Sequence, residues 1–492
     1  MATYLGIDIG TSAVKVILMG ENGDVLDSQS ESYGFDSPHS LWREQNPEIW
    51  WTGTRAAMTK IRTRQSYAWS AVAGIGLSGQ MHGAVCLDQQ NNPVRPAILW
   101  NDGRAFKECD TLNQQLPHLG ESSGVPAMPG FTAPKLLWLK QFEPDTFSKI
   151  HKVILPKDYV RLKLTGELCT DVSDAAGTLW LNEHLRSWDE NVLAASGITT
   201  SHMPKLIEGN EISGTLTVET AVEFGLSIET PVCGGGGDAA VGGIGIGAIN
   251  EGDAFVSLGT SGQIFVAKER YVANPQKLVH AFAHAIPDRW YQMACLLNGA
   301  SPLAWFGSIC GQPVPTLLEE AEQHGTGNGS EMFLPYLSGE RTPHNNPFAT
   351  GSFQGVTSTT ERHHMTQAIL EGIAYSLRDC LNALSEDGLP FQELGAIGGG
   401  ARSRYWLQMI ADVLEVPINQ YVGGETGPAL GAARLAMISV QGGRLEEVCT
   451  TPAVSEAFQP KADRQAYHRE KYQIFTDYYR RLEPTMGARE KD

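Results

Sequence analysis

The chain lacks paired cysteines. Its eight, at positions 86, 109, 169, 233, 295, 310, 380 and 449, are scattered through 492 residues without one C-x-x-C pair. That pattern excludes a disulfide scaffold or a zinc ribbon and fits a reduced, cytoplasmic protein. Positive charge is also scarce: 37 Lys and Arg stand against 55 Asp and Glu, a net charge of −18. Such a balance argues against a nucleic-acid backbone as the main partner. No apolar run is long and clean enough for a membrane. Asp8 interrupts the N-terminal one, so no signal peptide is expected, and Asp238 sits inside the glycine-rich run from 231 to 250. A G-x-x-x-x-G-K-[ST] loop is missing, which excludes the P-loop enzymes. His280 and His284 have the i,i+4 spacing of a metal helix, but Ala281 stands where a zincin needs Glu. The surrounding Val279 to His284 alternates like a strand. What is present is length enough for two large domains or three ordinary ones.

The stretch Tyr4 to Leu18 organises the rest. It predicts two strands of apolar and β-branched residues joined by a tight turn at Gly10-Thr11-Ser12. Alternation sets Leu5, Ile7 and Ile9 on one face and Asp8 on the other. A carboxylate in such a strand is costly unless it meets a cation or a hydrogen-bond network. An acid followed by an amide-rich turn is what a magnesium-bound phosphate chain requires; a hairpin with an ordinary capped Asp is the plainer alternative. The chain then repeats this stretch 249 residues later: Gly259-Thr260-Ser261 falls on Gly10-Thr11-Ser12, with Ser257 in place of Asp8. Two halves of one architecture follow, with two phosphate-type turns closing on a polyphosphate and only the first carrying the acid.

Further elements can be read locally. Residues 25–32 predict a third strand. Residues 47–65 predict a helix, with Asn46 as its cap and Pro47 at its first position. Gly74 to Gly79 fits G-x-G-x-x-G, but 84–87 continues as strand and no helix opens at the last glycine, so a dinucleotide site is excluded. Trp100-Asn-Asp-Gly-Arg104 follows a strand at 97–99, where α/β folds place binding groups. The segments 155–159 and 171–178 yield no chemistry from their spacing. At Gly234 to Asp238 four glycines end a strand and an acid stands where a helix begins, either as a positioned carboxylate or as a cap. Leu337 to Asn346 reads as a polar loop. A helix is expected from about 359 to 385, with Met365, Ile369, Ile373 and Leu377 on one stripe. Residues 394–403 read as strand, glycine turn and helix start, a place for a nucleotide. Gly423 to Pro428 precedes a small-residue helix at 429–435, and the tail from about 455 is expected to be helical.

In order along the chain come Gly6-Ile-Asp-Ile-Gly-Thr-Ser12, Gly79-Gln-Met-His-Gly83, Trp100-Asn-Asp-Gly-Arg104, Gly235-Gly-Gly-Asp238, Ser257-Leu-Gly-Thr-Ser-Gly262, Gly339-Glu-Arg-Thr-Pro343 and Ile397-Gly-Gly-Gly-Ala-Arg-Ser403. This series resembles the FGGY carbohydrate kinases over nearly the whole chain, and within them the bacterial members that act on xylulose. Gly351-Ser-Phe-Gln-Gly-Val356, continuing to Ala368-Ile-Leu-Glu371, is similar to the family's C-terminal signature. The resemblance implies an α/β fold of two ribonuclease-H-like domains of the actin and hexokinase type. A central cleft for ATP and sugar would lie between residues 1–247 and 248–492. It implies ATP-dependent phosphorylation of the terminal hydroxyl of D-xylulose, with ribulose, another ketopentose or a polyol as alternatives and a non-sugar nucleotide switch as a remote one. By the same resemblance Asp238 is the general base. Asp8 holds Mg²⁺ through water, with Asp238 the second acid toward the metal, and Gly10, Thr11, Ser12 and Lys15 stand near the transferring phosphate. Met81, His82, Trp100, Asn101, Asp102 and Arg104 line the sugar. Gly259 and Thr260 embrace the γ-phosphate, and Gly399 and Gly400 the adenosine. A homodimer is also implied. One departure stands out: pentulose kinases carry Asn directly after the catalytic Asp, and this chain has Ala239. If that Asn bonds a sugar hydroxyl, its loss weakens selection there by about 1–3 kcal/mol.

Overall fold

The computed structural model describes residues 2–325, 329–385, 389–423 and 427–486. Two seven-stranded mixed sheets carry the molecule. The first contains β1 (Thr3–Ile9), β2 (Ala13–Gly20), β3 (Val25–Ser32), β4 (Val72–Gly79), β5 (Ile212–Thr215) and β6 (Pro231–Cys233), in the order β5-β6-β4-β1-β2-β3, with Gly236–Gly237 pairing on β4. The second contains β7 (Ala254–Leu258), β8 (Gly262–Lys268), β9 (His280–Ala283), β10 (Trp290–Leu296), β11 (Leu394–Ile397), β12 (Ile418–Tyr421) and β13 (Val454–Phe458), in the order β9-β10-β8-β7-β11-β12-β13.

The repeat seen in the sequence is therefore a repeat of topology. In each sheet an antiparallel hairpin (β1–β2, β7–β8) is extended by a third antiparallel strand. On its other side it pairs in parallel with a strand from later in the chain (β4, β11). The polypeptide builds the same frame twice.

Helix α1 (Glu48–Arg64) covers one face of the first sheet. Its Trp50, Ala57, Met58 and Ile61 join Leu5, Ile7 and Ile9 in one core. Pro47 already has helical dihedrals, and Asn46 Oδ1 accepts the Glu48 N–H at 3.0 Å, so the start of this helix follows the expected signal. The other face of β1 carries Gly6 and Asp8, and a helix from the far end of the chain lies against it.

That helix is one of a series packed on and between the two sheets. α2 (Pro156–Thr165) and the short α3 (Val172–Ala175) lie behind β4. α4 (Asp238–Ile246) leaves the glycine run, and α5 (Arg362–Leu384) is buried through the second half. α6 (Arg404–Leu414) follows the 398–402 turn, α7 (Gly427–Gln441) crosses to the first sheet, and α8 (Ala462–Leu482) closes the chain. A Cβ on Gly6 would lie 1.9 Å from the Ala429 carbonyl oxygen, and one on Gly76 would lie 1.8 Å from that of Ala432. Only glycine lets the α7 backbone rest on the strands. α7 and α4 cross just as closely, since a Cβ on Gly431 would lie 1.9 Å from the Val241 oxygen.

Three expectations differ in detail. α5 begins at Arg362, after Glu361, rather than near 359, and Ile369, Ile373 and Leu377 are fully buried on it. The tail does not start as a helix: Val454–Phe458 pairs antiparallel with β12 at the sheet edge, and α8 begins only after Pro460. With only Phe458 buried, this short segment suits an edge strand. The segment from Gly423 to Pro428 is described only at its ends, residues 424–426 lying outside the described residues, and the helix that follows is longer than 429–435. His280 lies on a strand, as its alternation suggested, with His284 directly after it.

Candidate active site

Between the two sheets lies a cleft of about 1110 Å³, lined from both halves of the chain. Strand ends and turns deliver its chemistry. The 10–12 turn and the 259–261 turn, the two copies of the repeat, contribute Thr11, Ser12, Thr260 and Ser261 to its walls. The second turn is held by its carbonyls: Gly259 O accepts Ala300 N–H at 2.7 Å and Thr260 O accepts Gly299 N–H at 3.0 Å.

Asp238 lines the cleft from the first turn of α4, with Gly237 as the cap residue. Its Oδ1 accepts only the next backbone N–H, that of Ala239, at 2.8 Å. Its carboxylate meets cleft water while standing deep among protein atoms. Removal from bulk solvent, and then the nearby charge of Asp8, push its pKa up to about 7. Asp8 also titrates above its ordinary value. Burial is the larger cause, and Ser78, its partner across the β1–β4 ladder, and Lys15, its partner across β1–β2, work the other way. Neither Asp8 Oδ1 nor the Ser78 hydroxyl has a hydrogen-bond partner of good geometry. A buried carboxylate oxygen without a partner, close to a second acid, suits a water-clad divalent cation.

The opposite wall comes from residues 81–82 and 100–102. His82 adopts φ +67°, a left-handed conformation costly for a non-glycine and found at functional sites. Its Nδ1 donates to Gly177 O at 2.7 Å, which leaves Nε2 as acceptor. Burial, then the charge of Arg341, hold its pKa well below the ordinary value, so the imidazole is neutral. The Trp100 indole N–H donates to Thr11 Oγ at 2.8 Å, and Thr11 Oγ donates to Gln80 Oε1 at 3.1 Å. Gln80 in turn reaches Gln45, whose Oε1 accepts the Trp50 indole N–H at 2.9 Å. Thr11 thus belongs to this opposite wall as much as to the 10–12 turn. Asn101 lines the cleft with its Oδ1 buried and unpartnered.

Of the residues singled out in the sequence, Thr11, Ser12, Met81, His82, Trp100, Asn101, Asp102, Asp238 and Thr260 meet in this one cleft. Arg104 stands behind it. Its guanidinium pairs with Asp102 (2.7 Å) and Glu44 (2.8 Å) and lies 3.8 Å over the Trp42 ring, so it orients Asp102 rather than lining the cavity. Asp8, Gly10 and Lys15 sit at the base of the first turn, outside the lining. Gly259 is the base of the second turn. Gly399 and Gly400 lie outside the lining too, on a turn packed against Leu258: a Cβ on Gly400 would be 2.8 Å from that of Leu258, whereas one on Gly399 would meet open space. Ala239 is 2% exposed and absent from the lining, its methyl set into a core to which both halves contribute.

Residue-type reasoning missed Arg341. It comes from the 337–346 loop of the second half, lines the cleft and is 8% exposed. It donates to Trp100 O at 3.2 Å and lies 5.7 Å over both the Trp100 and Phe131 rings. The signal was present in Gly339-Glu-Arg-Thr-Pro343, but nothing in the loop's own sequence says that it crosses the cleft. Met293 and Cys295, on the same wall, gave no signal beyond their strand.

Comparisons with known proteins bear on the family and the fold. Residues 3–245 match the family model for the N-terminal domain of the FGGY family of carbohydrate kinases, and residues 254–440 match that for its C-terminal domain. A xylulose kinase of Escherichia coli (strain K12) is 44% identical over 486 residues, covering 98% of this chain and 100% of its own. The crystal structure of a xyloylose kinase from Brucella ovis superposes with a TM-score of 0.91 at 43% identity, covering 98% and 100% of the two chains. A ligand-bound xylulose kinase from Lactobacillus acidophilus superposes equally well (0.91) at 25% identity, covering 99% of each.

Proposed function

The chain belongs to the FGGY family of carbohydrate kinases, and we propose that its sugar is D-xylulose, phosphorylated by ATP at the terminal (5-) hydroxyl to D-xylulose 5-phosphate and ADP. The observation that carries this reading is the meeting of Asp238 with His82, Trp100 and Asn101 in one cleft faced by both phosphate-type turns. The relatives of nearly equal length that share 44% and 43% identity, a xylulose kinase and a xyloylose kinase, support the choice of sugar.

In this reading the terminal hydroxyl binds beside Asp238. The carboxylate takes its proton as the oxygen attacks the γ-phosphorus of ATP in line, while the bond to the β,γ-bridging oxygen breaks and ADP departs. A pKa near 7 suits a base that must accept a proton late in a loose transition state. Neutral His82, with Nε2 as acceptor, takes a hydrogen bond from a sugar hydroxyl, and Asn101 Oδ1 accepts another. Thr11, Ser12, Thr260 and Ser261 bracket the phosphate chain, and the 398–400 turn receives the adenosine. Asp8, with Asp238 near, would hold Mg²⁺, which neutralises phosphate charge when bound. The cleft walls orient the reactants and keep competing water away from the phosphate. All eight cysteines are free, seven of them buried, and no described helix is long and apolar enough to cross a membrane, which supports a reducing compartment such as the cytoplasm.

Coupled ADP release across a panel of ketoses and polyols tests the reading. D-xylulose should give the highest kcat/KM, with ribulose and xylitol well below it. ADP release independent of any sugar, or a better substrate than D-xylulose, would overturn it.

A further inference from the structure

The glycine run that delivers Asp238 is gripped from behind by buried charge. At its start, Arg161 Nη1 donates to Cys233 O at 2.7 Å, and its Nη2 donates to Gly234 O. At its end, Ser173 Oγ accepts the Gly237 N–H at 3.2 Å and donates to Asp171 Oδ2 at 2.5 Å. Asp171 Oδ1 lies 2.8 Å from Lys157 Nζ, which also meets Asp158 Oδ1 at 2.7 Å and Asp174 Oδ2 at 3.1 Å. Arg161 closes the ring, 3.7 Å from Asp158. Every one of these residues is at most 1% exposed, and none lines the cleft.

A buried ionic cluster of this size is a poor device for stability alone. Taking several charges out of water costs about as much as their mutual attraction returns, and well-packed apolar side chains often serve as well. What apolar side chains could not supply is the three hydrogen bonds to the backbone at 233, 234 and 237. Gly234 to Gly237 has no side chains of its own to fix its dihedrals, and glycine has the most freedom to lose. The run must nevertheless deliver the next residue, Asp238, to a defined point.

We propose that Arg161, Asp158, Lys157, Asp171 and Ser173 form a positioning network for Asp238, fixing where its carboxylate stands during phosphoryl transfer without touching sugar or nucleotide. The proposal rests on Asp238 being the base. A misplacement of about 1 Å at a reacting group can cost about a hundredfold in rate, so the effect should appear in turnover and spare binding.

The test is Ser173→Ala, assayed with the best sugar of the wild-type enzyme beside Arg161→Lys and Asp238→Ala. Ser173→Ala and Arg161→Lys should lower kcat by about ten- to a hundredfold while the KM values for sugar and ATP stay within about threefold. A cluster that only stabilises the fold would lower the melting temperature and leave kcat of the folded enzyme within about twofold, which would overturn the proposal. If Ser173→Ala does not fold, Ser173→Cys keeps the shape, weakens both hydrogen bonds and carries the same expectation. Full turnover by Asp238→Ala would overturn the base assignment itself. A dead Asp238→Ala beside a normal Ser173→Ala would overturn the network alone.

Discussion

Asp238 and Asp8 are close enough that the charge of one raises the pKa of the other, and in the proposed reaction this pair would set the response to pH. A base works only when deprotonated. With its pKa held near 7 by burial and by Asp8, Asp238 is largely protonated at pH 6 and largely free at pH 8. In the free enzyme kcat/KM should therefore climb through neutrality and level off above it, and a profile flat from pH 5 to 8 would contradict the assignment. Asp238→Ala should lower kcat by about 10²-fold or more while nucleotide binding by calorimetry stays unchanged. Asp8→Asn should raise the Mg²⁺ concentration needed for half-maximal turnover and leave sugar affinity nearly intact, because Asp8 is outside the lining where the sugar-side residues meet. Both acids stand out in the sequence, one inside an apolar strand and one after four glycines. Arg104 looked like their equal and is a support for Asp102, because the sequence cannot say which side of a strand-end turn faces the cavity.

Elements repeat the same contrast. The hairpins were legible because alternation and a glycine turn are local signals, and the copy at 257–261 confirmed the first by analogy. The seat of α7 on β1 and β4 was not legible, although Gly6 and Gly76 stood in plain view. A glycine in a strand says that something comes close, and not what does. The structure supplies the missing partner, a backbone some 420 residues away in the chain for Gly6. Gly76→Val should accordingly destabilise the protein by at least about 1–3 kcal/mol, seen as a lower midpoint in urea, whereas Gly399→Ala, with open space around it, should leave the midpoint unchanged. Similarly, Lys157 and Asp171 were silent, in two segments whose spacing yields no chemistry. Their meaning lies in a pairing across 14 residues and a turn.

At the scale of the molecule, the wall proposed for the sugar draws on both halves. Arg341 reaches from the second half to Trp100 of the first, and Trp100 passes on to Thr11 in the phosphate turn. Arg341→Met should raise the sugar KM by about tenfold, equivalent to about 1.4 kcal/mol, with a much smaller change for ATP. An equal loss for both substrates would mean that the residue holds the fold and not the sugar wall. The family resemblance covered nearly the whole length of the chain, so the two-sheet plan was legible at this scale. The residues that join the two halves were not, because each of them depends on the other half for its context.

The placement of α7 also bears on how the protein comes into being. The first sheet is complete by Gly237, yet the helix packed across its glycine-lined face comes from residues 427–441. During synthesis the leading half must therefore wait, its glycine-lined face bare, until residues 427–441 have left the ribosome. Premature termination before residue 427 would release a chain with that face open, a ready target for chaperones and proteases. Completion of the first half is thus tied to a helix that the second half supplies.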